Sequence, residues 1–85
     1  MNIIKKDGRV QEFTKDKLKT SINNSAKDAN FSLTESDLNL LVSDMYNKLV
    51  SIRKDGNTSS YEVMGVVIHV LKENKFNQIV CSYIG

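Results

Sequence analysis

The side chains of this 85-residue chain that could do chemistry gather near its start. Lys5, Lys6 and Arg9 surround Asp7-Gly8, and Thr14, Lys17 and Leu18 follow at the spacing of a helix start. Lysine is a mobile point charge suited to phosphates. A helix start adds unpaired N–H groups and the positive end of a dipole, which together receive anions. Ile3, Ile4 and Leu18 offer apolar surface for a flat base. Charge is skewed the same way. Residues 1–20 hold six basic side chains (Lys5, Lys6, Arg9, Lys15, Lys17, Lys19) against three acidic ones (Asp7, Glu12, Asp16), and the remainder holds six against seven. A net charge of +2 therefore conceals a basic front end that anionic ligands should prefer.

Little else in the chain points to chemistry. There is no G-x-x-x-x-G-K-[ST] loop and no G-x-G-x-x-G turn, so a nucleotide here needs another holding device. His69 is the single histidine, with no partners at metal or triad spacing, and reads as a surface side chain. Cys81 is the single cysteine, which excludes an internal disulfide; among Val80, Tyr83 and Ile84 it reads as a small buried hydrophobe. Ser59 and Ser60 read as caps rather than nucleophiles. No catalytic residues, no metal ligands and no enzymatic activity are expected. Nucleic acid is not the expected partner, because the net charge is small and no aromatic interleaves the lysines. Neither a signal peptide nor a membrane span is visible, and the expected location is the cytoplasm.

The elements that must position the front end can be read from pattern. Residues 2–13 predict a β-hairpin turning at Asp7-Gly8, the strongest short hairpin signal. A two-residue loop there sets Lys6 opposite Arg9 and Lys5 opposite Val10, a crowding that an anion would relieve. Residues 15–29 predict a helix capped by Thr14, with Leu18, Ile22, Ala26 and Ala29 on one face and a break at Asn30-Phe31-Ser32. Residues 35–53 predict a second helix started by Thr34 and Asp37, with Leu33 stapled to Leu38. Its stripe runs Leu38, Leu41, Val42, Met45, Tyr46, Leu49, Ile52, and Lys54-Asp55-Gly56-Asn57 ends it. Residues 60–73 contain a β-branched run, but Ser59 with Glu62 and the period of Val63, Val67, Val70 and Leu71 favour a helix. A last short helix covers residues 75–84. The expected fold class is α+β: an N-terminal hairpin, as a small sheet, packed on about four short helices. A domain this small should leave part of the set Val63, Val67, Val70, Leu71, Phe76, Ile79, Val80, Tyr83 and Ile84 to a partner or a downstream domain.

These residues resemble a known family. An apolar pair, then Lys5-Lys6-Asp7-Gly8-Arg9-Val10, then Phe13-Thr14 and Asp16-Lys17-Leu18, is similar to the opening of the ATP-cone domain, which runs close to V-x-K-R-D-G-R-x-E-P-F-D-x-x-K-I. Ser59-Ser60-Tyr61-Glu62-Val63 resembles the S-x-E-E-I start of the cone's third helix, and Ile79-Val80-Cys81-Ser82-Tyr83-Ile84 its closing A-K-A-Y-I segment. The resemblance spans residues 1–85 as one domain and implies an allosteric site for ATP or dATP with Mg²⁺. It implies contacts to base or phosphates from Ile3, Lys5 and Lys6, a wall of Thr14, Lys17 and Leu18, and closure by Ser60 and Met64. The chain departs from the family's pattern at Gln11, Glu12, Thr14 and Met64, the last standing where some members carry a polar base-reading side chain. Other cones, or the catalytic domain of a ribonucleotide reductase, are the implied partners, and an N-terminal piece of a reductase (the anaerobic class included) or a stand-alone cone is the expected context. The alternatives are a small interaction module for protein or nucleic acid and a degenerate cone without its ligand.

Overall fold

A computed structural model describes residues 1–53 and 56–84. Its elements are β1 (Asn2–Ile4), β2 (Val10–Glu12), α1 (Lys15–Asp28), α2 (Glu35–Ile52), β3 (Asn57–Ser59), α3 (Ser60–Glu73) and α4 (Asn77–Ile84). The fold is α+β, a small sheet with four helices, as the sequence pattern predicts.

Each of the three longer helices starts at a hydroxyl. Thr14, Thr34 and Ser59 accept from the backbone N–H of Lys17, Asp37 and Glu62. Such caps satisfy donors that the helix itself cannot. Helices α1 and α3 end alike. Asn30 and Lys75 take left-handed backbone (φ +54° and +64°). The next residues, Phe31 and Phe76, then donate N–H to the carbonyls of Ala26 and Leu71, both at 2.8 Å. This is the Schellman closure. The two phenylalanines meet edge to face with centroids 5.5 Å apart, tying the two helix ends together. Lys54 and Asp55, expected to end the second helix, lie outside the described residues; Arg53 is its C-cap.

The sheet differs from the expected hairpin in two ways. Gly8 N–H donates to the Lys5 carbonyl (3.0 Å), and Gly8 alone of the turn residues has positive φ, +87°. The loop is thus one residue longer than Asp7-Gly8 requires, with glycine in the left-handed position after the turn. Ile4, not Lys5, is opposite Val10, and the Lys5 N–H donates to the Arg9 carbonyl. The expected Lys6/Arg9 and Lys5/Val10 pairs do not form. The second difference is β3, which lies parallel to β1 (Asn2 beside Asn57, Ile4 beside Ser59), so the strand order is β2-β1-β3.

The helices close a ring in which α1 and α3 each pack on both α2 and α4. Leu18, Ile22, Met45, Leu49, Leu71 and Ile79 fill its centre, and Ile3 and Phe13 reach in from the sheet. The apolar set expected to be left in part to a partner or a downstream domain is mostly covered within the domain. Val63, Val67, Val70, Leu71, Ile79 and Val80 are buried, and Phe76 and Tyr83 pack half-buried against the same core. Ile84 stays exposed, as does Ile52, which was expected to close the stripe of α2. Two flanks suffice because α4 folds back onto α1. Among the described residues no helix is long and apolar enough to cross a membrane.

Candidate functional site

β1 is the central strand, so whatever it carries is placed by both neighbours. Its parallel pairing with β3 brings Ile4 beside Ser59. The chain leaves β1 as Lys5-Lys6 at the level where it leaves β3 into α3. An open groove of about 360 Å³ results, lined by Lys5, Lys6, Asp7, Arg9 and Ser60. A second, of about 410 Å³, is lined by Lys5, Arg9, Val10 and Gln11. The two share Lys5 and Arg9. Exposed ammonium and guanidinium groups beside a helix start form an anion-receptive surface.

Within the hairpin, charge is organised differently from the expected crowding. Arg9 Nε donates to Asp7 Oδ2 at 2.6 Å, and the Arg9 N–H to Asp7 Oδ1 at 3.1 Å. Both side chains are largely exposed, so the pair shapes the turn more than it stabilises it. Lys6 instead places its Nζ 5.2 Å from the centroid of the Tyr61 ring, on the first turn of α3. An aromatic therefore does stand among the lysines, in space though not in sequence.

The other candidates divide by environment. Ser60 and Met64 are one turn apart on α3; Ser60 is half-buried and Met64 is 39% exposed. Ile3 and Leu18 belong to the core, at 7% and 2% exposure. Thr14 caps α1, and Lys17 Nζ donates to the Glu12 carbonyl at 2.7 Å. Because β2 runs antiparallel to β1, the start of α1 lies at the opposite end of the sheet from Lys5-Lys6. At about 3.3 Å per strand residue this separates the two ends by about 7 Å of strand. An elongated ligand with a charged end suits that separation.

Arg9, Gln11 and Tyr61 line or flank the grooves, yet the resemblance assigns none of them to the ligand. Arg9 carried a signal, since it belongs to the same basic cluster. Gln11 and Tyr61 carried none that pattern reveals, because their places follow from hairpin register and from the β1–β3 pairing. His69 is exposed and sits 3.1 Å from Glu73 one turn on, as a surface histidine should. Cys81 corrects the expectation of burial: it is exposed, because Ile79 and Val80 take the core-facing positions of α4.

Fold and site together define a small binding domain with a basic groove at one end of its sheet. Among the described residues, no three His, Cys, Asp or Glu side chains converge as metal ligands would. The family model of the ATP cone domain matches residues 1–85, and the chain belongs to that family. Comparison with curated proteins found no match. The family is one of regulatory rather than catalytic domains, whose allosteric ligands in general are ATP and dATP.

Proposed function

We propose that this chain binds ATP or dATP across the hairpin, with the phosphates at Lys5, Lys6 and Ser60. Magnesium comes with the phosphates. The nucleoside lies toward Thr14 and Lys17, over the core side chains Ile3 and Leu18, with Met64 closing the site from α3. The observation that carries this reading is the parallel β1–β3 pairing, which sets the hairpin lysines and the start of α3 into one groove. The separation between that groove and the start of α1 supports a ligand with a charged end and a flat end. Occupancy then controls the activity or assembly of an attached or partner protein in the cytoplasm, such as a ribonucleotide reductase catalytic domain or other cones.

The test is thermal unfolding with ATP, dATP and GTP in the presence of magnesium. A ligand that binds only the folded state at one hundred times its Kd stabilises it by about 2.7 kcal/mol. In a domain of this size that raises Tm by roughly 10–20 °C. A flat response at millimolar nucleotide would leave a degenerate cone in place of this reading.

A further inference from the structure

The first turn of α3, whose Ser60 lines the basic groove, also carries a carboxylate. Glu62 follows Ser60 by two residues. An acidic side chain there favours the helix by meeting its positive end. The same charge repels phosphates. The structure gives this carboxylate a guard. Arg53, the C-cap of α2, donates from Nε to both oxygens of Glu62, at 2.8 and 3.0 Å. Thr58 Oγ1 donates to Oε1 at 2.9 Å, and the Glu62 N–H donates to Ser59 Oγ at 3.1 Å. Glu62 is the less exposed partner, 21% against 48% for Arg53, so its charge is met chiefly by protein.

We propose that Arg53 is a positioning residue of the nucleotide site: by neutralising and fixing Glu62, it lets that carboxylate stand in the first turn of α3 without opposing the ligand's phosphates. The proposal rests on the nucleotide reading above. It explains why a phosphate groove tolerates an acid in its adjoining helix turn. It also gives the end of α2 a part in binding, although Arg53 is not among the residues lining the groove. Its signature is charge. Unit charges about 10 Å apart near a protein surface influence binding about three- to tenfold, more for a triphosphate than a monophosphate.

The experiment is calorimetric titration of the full chain with AMP, ADP and ATP at fixed low salt. The variants are Arg53→Met, Glu62→Gln and the two combined, with folding followed by circular dichroism. Arg53→Met should weaken ATP by about three- to tenfold and AMP much less. Glu62→Gln keeps an acceptor for Thr58 and should bind ATP more tightly than wild type. The double variant should return to within about twofold of wild type, the non-additivity expected of coupled charges. Equal losses for AMP and ATP, or no recovery in the double variant, would overturn the role of Arg53 while leaving the nucleotide site standing. If Arg53→Met fails to fold, Glu62→Gln decides alone, and weaker ATP binding overturns the proposal. Wild-type protein that binds none of the three nucleotides overturns the nucleotide reading itself, and this proposal with it.

Discussion

Leu18 and Met64 are both apolar candidates for the nucleotide site, and truncating each to alanine should have opposite consequences. Leu18 is 2% exposed, packed in the core with Ile22, Met45 and Leu49. Removing a buried leucine loses its transfer energy and leaves a cavity, at a cost of about 2.7–5 kcal/mol. A domain of this length has a total stability of about 4–13 kcal/mol, so Leu18→Ala should consume a large share of it. With a urea m-value near the low end for small domains, about 1 kcal/mol/M, the midpoint should fall by 2 M or more, and Tm by at least about 10 °C. Met64 is 39% exposed. Met64→Ala should cost less than about 1 kcal/mol and show its main effect on nucleotide affinity. Urea unfolding followed by far-ultraviolet circular dichroism measures the first quantity, and calorimetric titration with ATP measures the second. A Leu18→Ala loss below about 1 kcal/mol, or an equal loss in Met64→Ala, would refute the packing argument, because only tight enclosure makes truncation this costly.

Lys5→Ala and Lys17→Ala should each weaken ATP binding several-fold while shifting the Tm of the free protein by no more than about 3 °C, since exposed lysines contribute little to folding; unchanged affinity in both would move the site elsewhere. Lys75→Gly should stabilise the domain by about 0.5–1 kcal/mol, because glycine relieves a left-handed lysine at the end of α3 at some cost in unfolded-chain entropy. Asn30→Gly should gain less, asparagine being tolerant of that conformation, and equal gains in urea unfolding would contradict this account. Burial raises the pKa of Tyr83 above 10.0. The unfolded chain therefore loses this proton first, so the contribution of Tyr83 to stability is complete below pH 10 and is lost as pH rises through the folded pKa. Absorbance titration of native protein should find a tyrosine ionising above the free value of 10.0, and a Tyr83→Phe variant lacking that step would assign it.

What the amino-acid sequence determines by itself here is the helices and their starts, which neighbours three or four residues apart govern. The hairpin's register, though as local, was not legible, because Asp7-Gly8 suits a two-residue loop and a three-residue one alike. The caps at Thr14, Thr34 and Ser59 are legible because each hydroxyl bonds an N–H three positions on. The helical stripes are legible because one face repeats every turn, and that periodicity also resolved residues 60–73 against their β-branched composition. The basic front end was legible as a contiguous string, and the resemblance to the cone as three short motifs in the right order along the chain. Tertiary structure alone decided the rest. Asn57-Thr58-Ser59 is short and polar, and nothing in it signals a strand. It becomes one because β1, from the far end of the chain, offers it a ladder. The groove depends on that pairing, as does the approach of Tyr61 to Lys6. The exposure of Cys81 and the burial of most of the apolar set on α3 and α4 likewise depend on how α4 turns back onto α1. A local bond costs little chain entropy and leaves a mark in the adjacent residues. A contact between distant segments is stabilised only when the whole fold closes, and its partners need share no pattern in sequence.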